Sequence, residues 1–327
     1  MQKTIQKHKA FRVLISVIAL LALIDAGSSL LVNAYLRRHS LPGEYQKIEY
    51  LMKDAKEEMV IIGSSVAISS YIPQIIEDSL HISCFNGGCS SQYLPFFQCM
   101  IENLLRRYTP RYLVLVMRSE ELAVDELGRL NLLSPFYRKG YPSIDHLLDK
   151  TYGKRNIFLY SNLYRYNTIG WRILLSSIRP SDEIGQKGFV PHNKPKFPPV
   201  LNDWSNYTSH YRQLNPIHEE CFRKIVELCR QTGVELIVTI PPVYKKHTDH
   251  GRPFELLALE YLCRELTVPL FNDNQSPFFL SRPDLFYDDR HLNYGGAEIY
   301  TWMFVEEFRQ WKEGQESRST VIPGSMK

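Results

Sequence analysis

A recurring unit constrains this chain more than any other feature. Short apolar runs end in Gly or a polar turn, and helix-length patterns separate them. The runs are "MVIIGSS" from Met59, "HISCFNGG" from His81, "RYLVLVM" from Arg111, "VELIVTIPPVY" from Val234 and "VPLFND" from Val268. "RYLVLVM" is apolar at nearly every position and Met59 to Ile62 is an unbroken apolar run, the pattern of strands buried on both faces. Between them, helical patterns run over Gln92 to Tyr108, over "NPIHEECFRKIVELCRQTG" as far as Gly233, over Pro253 to Leu266, and over Tyr294 to Trp311 behind an Asn293 cap. Doubly buried strands alternating with helices predict a five-stranded parallel sheet inside a three-layer α/β/α sandwich. A 327-residue chain that is 44% hydrophobic can fill such a core.

The sheet is expected in two pieces, 41–118 and 215–312, with an insertion over 119–214 after the third strand. So long a stretch must carry structure of its own. It holds Tyr137, Tyr141, Tyr152, Phe158, Tyr160, Tyr164, Tyr166 and Trp171, then Trp204, Tyr207 and Tyr211. Following a strand's carboxyl end, it would sit over the crevice where open α/β sheets bind ligands. Its rings form either a lid or sugar-stacking wall, or the insertion's own small core. A charged helix is expected over Gln46 to Lys56, and residues 313–327 read as a disordered tail.

The first 40 residues differ from the rest. Lys3, Lys7, Lys9 and Arg12 precede an apolar stretch from Val13 to Leu36, which Arg37 and Arg38 follow. At about 1.5 Å per residue that stretch covers about 36 Å, enough for a hydrocarbon core of about 30 Å with some tilt. The basic bias places the N-terminus inside and the remaining domain outside the cytoplasm. Asp25 opposes a simple span, since a carboxylate at mid-bilayer costs about 2.5 to 3.5 kcal/mol. A signal sequence cleaved after "DAGS" is the alternative to a retained anchor.

Net charge is +4 with both signs interspersed, so no basic stripe argues for nucleic acid. Cys84, Cys89, Cys99, Cys221, Cys229 and Cys263 show no C-x-x-C or Cys/His metal spacing and read as small buried residues. No metal site or cofactor is expected. A nucleotide-binding reading would need a phosphate-cradling loop such as G-x-G-x-x-G, which is lacking.

Two segments carry chemistry. "GSSV" follows the first strand, and "DDRH" (Asp288 to His291) lies between the fifth strand and the last helix. Both fall at the carboxyl edge of the sheet and so face one crevice. A serine hydroxyl becomes a nucleophile when an imidazole takes its proton and a carboxylate orients that imidazole. Ser65, His291 and Asp288 fit these roles, with Ser64 and Asp289 as competitors. The blander reading makes "GSSV" a turn with an N-capping serine and "NGG" a plain turn.

"GSSV", "NGG" and "DDRHLNYGGAE" resemble the Gly-Asp-Ser, Asn-x-Gly and Asp-x-x-His blocks of the SGNH/GDSL hydrolase superfamily, whose sandwich is flavodoxin-like. The likeness points to its membrane-anchored bacterial cell-envelope branch. It implies Ser65 as nucleophile, completed by Asp288 and His291, with an oxyanion hole drawn from the N–H groups of Ser65 and Gly88 and from Asn86. Ser91 stands where a further glycine is common. The family's Gly-x-Asn-Asp block is replaced by "VMRSEEL", which offers Arg118 as a substitute donor. The resemblance implies an extracytoplasmic esterase or O-acyltransferase, for acetyl groups on envelope carbohydrate, with a membrane-embedded acyltransferase as a candidate partner. The missing block motivates the alternative, an inactive glycan-binding or scaffold protein.

Overall fold

The apolar runs form the expected sheet. In the computed structural model β1 (Met59–Gly63), β2 (Cys84–Asn86), β3 (Tyr112–Val116), β4 (Glu235–Ile240) and β5 (Leu270–Asn272) are all parallel, in the order β2-β1-β3-β4-β5. Residues 2–36, 39, 42–154, 156–167, 169–176, 186–193, 202–203, 213–246 and 253–320 are described.

The helices in chain order are α1 (Gln2–Leu36), α2 (Glu44–Lys53), α3 (Ser65–Ser70), α4 (Pro73–Leu80), α5 (Leu94–Leu105), α6 (Pro142–Tyr152), α7 (Asn162–Arg165), α8 (Gly170–Ser176), α9 (Pro216–Thr232), α10 (Phe254–Glu265), α11 (Pro277–Leu280) and α12 (Tyr294–Thr320). One face of the sheet buries Met59, Ile61, Tyr112, Val114, Val116 and Ile237 against Tyr71, Ile76, Tyr300, Phe304 and Phe308, where α12 packs on α3 and α4. The alternate residues Val60, Ile62, Leu113, Leu115, Leu236 and Val238 are buried too, and α5 packs on α9, which touches β4. Burial on both faces explains why the strands lack polar alternation. Gly233 ends α9 in the left-handed conformation (φ 76°), as its position after the helix predicts.

Some boundaries differ from expectation. The helices α3 and α4 between β1 and β2 had no clear helical signal, because "SVAISS" is rich in serine and β-branched residues that form helix poorly alone. Burial of Val66, Ala67 and Ile68 imposes the helix instead. The charged helix runs over Glu44–Lys53 rather than 46–56. The last helix continues past Trp311 to Thr320, so the tail expected from 313 begins as helix.

The chain divides into two compact units, Met1–Gln46 with Leu130–Ser181, and Lys47–Arg129 with Asp182–Lys327. The expected insertion is therefore shared, with its ends belonging to the sheet unit. In the first unit α1 meets α7, and Leu132, Leu133, Phe136, Tyr137, Ile144, Leu148, Leu159 and Tyr166 are buried. Tyr137 donates to Asp149 Oδ1 (2.8 Å) and Lys139 to the Tyr166 hydroxyl (2.6 Å). Some rings thus build the unit's own core, while Tyr152, Phe158, Tyr160 and Trp171 stay exposed. Trp204, Tyr207 and Tyr211 lie outside the described residues.

Candidate active site

The site begins where β1 runs out. A Cβ on Gly63 would lie 2.7 Å from the Val116 carbonyl oxygen and 2.9 Å from Ala67 Cβ, so only glycine lets the chain turn this tightly beneath β3. Ser64 follows in an extended conformation and makes no side-chain cap bond, which removes the N-capping reading of "GSSV". Ser65 opens α3, so its own N–H has no intrahelical acceptor, while the Ala67 N–H bonds the Ser64 carbonyl (3.0 Å).

The second half is a tight turn. Phe286 and Leu292 form an antiparallel bridge, and Tyr287 N–H donates to the His291 carbonyl (2.8 Å). Within it, Asp288 Oδ1 accepts the backbone N–H groups of Arg290 and His291, each at 2.9 Å. Asn293 then caps α12, taking the Gly296 N–H (3.0 Å) and donating to the Asp284 carbonyl (2.6 Å). A Cβ on Gly296 would approach the Leu285 carbonyl oxygen to 2.1 Å, which explains the glycine that follows the motif.

These halves meet. His291 Nε2 lies 2.8 Å from Ser65 Oγ, and His291 Nδ1 lies 2.9 Å from each Asp288 carboxylate oxygen. An ionised carboxylate can only accept, so Nδ1 carries the proton and Nε2 turns its lone pair to the serine hydroxyl. Partial burial pushes the Asp288 carboxyl up. The His291 hydrogen bond and charge, with the two backbone N–H bonds, outweigh this and hold it down at about 2. Asp288 therefore stays ionised, and an imidazolium formed at His291 would be stabilised by it. Of the competitors, Asp289 faces Arg290 (4.0 Å) while its carbonyl takes the Tyr244 N–H (3.0 Å), and Ser64 is buried.

The other expected site residues fall differently. The Asn86 side chain donates to the carbonyls of Ala67 (2.7 Å) and Tyr71 (3.0 Å), which occupies both amide hydrogens, and its Oδ1 accepts the Gly88 N–H (3.1 Å). Asn86 braces α3 against β2. Ser91 adopts a left-handed conformation (φ 55°), and its carbonyl accepts the Arg129 N–H (3.1 Å). Arg118 bonds Glu121 (3.0 Å), lies 3.7 Å from Glu120 and stacks 4.6 Å over the Tyr93 ring. Burial pushes the Glu121 carboxyl up despite that partner.

One part of the site had no signature in the sequence. Residues 186–193 form a strap over the ends of β2, α3 and α12: Asn86 N–H donates to the Lys187 carbonyl (2.9 Å), Val190 N–H to that of Ile68 (3.4 Å) and Tyr294 N–H to that of His192 (2.9 Å). Gly188 (φ 86°) allows it, since a Cβ there would lie 1.9 Å from the Asn86 carbonyl oxygen. The strap stacks the His192 ring on Tyr287 at 4.1 Å and edges it toward His291 at 6.0 Å. Burial first, and His291 second, lower the His192 pKa, against a smaller opposite pull from Asp288. The strap thereby sets a second imidazole ring beside that of His291. Among the described residues, no group of three or more His, Cys, Asp or Glu side chains could hold a metal ion.

No protein-family model matches the chain, and no curated protein matches it. Solved structures that it resembles include a psychrotrophic esterase, EstA, from Pseudoalteromonas sp., at 10% identity and TM-score 0.40, over 78% of this chain and 98% of that one. Another is protein YxiM from Bacillus subtilis, at 14% identity and TM-score 0.40, over 79% of this chain and 57% of that one. Likeness at this level leaves the chemistry to the side chains.

Proposed function

We propose that the chain is a serine esterase or O-acyltransferase of SGNH type, held at a membrane by α1 with its sheet unit outside the cytoplasm. The observation that carries this reading is the hydrogen-bonded series Ser65, His291, Asp288 at the carboxyl edge of the sheet. In this reading Ser65 Oγ attacks an ester carbonyl while His291 Nε2 takes its proton. The carbonyl oxygen becomes an anion held by the N–H of Ser65 and by that of Gly88, which shares its hydrogen with Asn86 Oδ1. Collapse expels the alcohol, which takes the proton from His291, and leaves Ser65 acylated. Water or a sugar hydroxyl then gives its proton to His291 and attacks the acyl carbon; the bond to Ser65 Oγ breaks, and His291 returns the proton to Ser65. The envelope carbohydrate substrate, the acetyl group and a membrane-embedded acyltransferase partner follow from the motif resemblance alone.

A second reading is a glycan-binding or scaffold protein that has lost turnover. It is favoured by Arg118, which stands at the missing block and is tied to Glu120 and Glu121. Treatment of the full chain in detergent with a fluorophosphonate separates the two. The enzyme reading expects a covalent adduct on Ser65 found by peptide mass spectrometry. No adduct on a folded protein supports the scaffold.

A further inference from the structure

The strap at residues 186–193 is fixed from several sides. Lys47, wholly buried on α2, donates to the Gly188 carbonyl (2.6 Å), and Lys187 pairs with Glu77 on α4. Phe189 is buried, with its ring centre 6.2 Å from that of Tyr294. The backbone bonds to Asn86, Ile68 and Tyr294 add to these and leave the chain at 187–192 little freedom. A buried ammonium is costly unless hydrogen-bonded, so the Lys47 tie to Gly188 is one that the folded unit must keep.

What the strap holds in place is the His192 ring. It lies on Tyr287 (4.1 Å between centroids, 15° between planes) and 6.0 Å from the His291 ring. Stacking fixes the plane of the ring but uses neither nitrogen, and no described residue hydrogen-bonds to them. His192, Tyr287 and His291 are all partly exposed. The reaction says what would meet such a ring. When the tetrahedral intermediate collapses, the departing alcohol oxygen takes the proton from His291 Nε2, and an attacking hydroxyl returns one there, so in both steps that oxygen lies against His291. A hydroxyl sits about 2.7 to 3.0 Å from a nitrogen it bonds. Rings with centres 6.0 Å apart therefore address one oxygen or two adjacent ones. An imidazole presents at least one N–H in either protonation state, and its neutral form adds an acceptor; a hydroxyl complements both.

We propose that His192 contacts substrate, donating its ring N–H to the hydroxyl next to the ester's alcohol oxygen, and so selects esters of vicinal diols, the arrangement found around a sugar ring, over esters of simple alcohols. The proposal rests on the esterase reading. It assigns the alcohol side of the ester, rather than the acyl side, to the strap.

The test measures acetate release from 2-hydroxyethyl acetate and from propyl acetate, which differ by a hydroxyl in place of a methyl group, with the full chain in detergent. The ratio of the two kcat/KM values does not depend on how much of a preparation is active. His192→Phe keeps a ring to stack on Tyr287 and removes both nitrogens, so a residue that only packs would leave the ratio alone. Wild type should prefer the 2-hydroxyethyl ester, and His192→Phe should lower that preference by about three- to tenfold, the worth of one hydrogen bond. A wild type that favours propyl acetate overturns the proposal without any variant. A ratio in His192→Phe equal to that of wild type, on protein whose Ser65 reacts with a fluorophosphonate, overturns the role of His192 and leaves the esterase reading standing. Wild-type protein that neither forms the Ser65 adduct nor releases acetate from either ester overturns the esterase reading and this proposal with it.

Discussion

The Ser65 hydroxyl lies 2.8 Å from His291 Nε2 although 226 positions separate the two residues in the chain. Removing that hydroxyl should abolish adduct formation with a fluorophosphonate and lower ester turnover by about three orders of magnitude or more, with the melting temperature kept. Ser64→Ala should leave labelling within about tenfold, because Ser64 only shapes the turn. Equal loss in both variants would remove the assignment of Ser65 over its neighbour.

Asp288→Asn keeps an oxygen for the N–H groups of Arg290 and His291 but removes the charge that fixes the His291 tautomer. Turnover should fall by about 10⁴-fold while the fold survives. Asp289→Asn should stay near wild type. Steady-state kinetics on a chromogenic acetate ester distinguish the carboxylates, and a comparable drop in both would contradict the bonding seen at His291.

Asn86→Ala should act on stability before chemistry. The substitution leaves the carbonyls of Ala67 and Tyr71 buried without their donor, at a cost of about 1 to 3 kcal/mol for each group. The denaturation midpoint in urea should fall accordingly. A variant that unfolds like wild type yet loses turnover would return Asn86 to the oxyanion hole.

Stability should also depend on pH through a carboxyl far from the site. Partial burial, and secondarily Asp273, push Glu307 up to about 7 from its ordinary 4.5. A raised carboxyl binds its proton more tightly folded than unfolded. Its contribution is therefore present below the unfolded value and lost as pH rises from about 4.5 through about 7. Glu307→Gln should flatten the fall in melting temperature across that window and stabilise the protein above it. A pH profile with the wild-type slope in the variant would exclude Glu307 as the source.

Much of this was legible because the signals were local. Strands buried on both faces announce themselves by unbroken apolar runs, and Asp288 and His291 sit close enough in sequence for the turn to be inferred. The strap was not legible, since "GFVPHN" has no period and His192 reaches the site through hydrogen bonds to distant segments. Asn86 was identified by type but not by the direction of its amide. That direction depends on α3, a helix whose residues favour other conformations until packing imposes it.

None of the six cysteines forms a disulfide, and all are buried. Burial pushes the thiols of Cys229 and Cys263 up to about 12. Such sulfurs are sealed against oxidants and alkylating agents as long as the molecule stays shut. The chain carries a built-in clock: the rate at which a thiol dye enters would time each spontaneous opening of the sandwich.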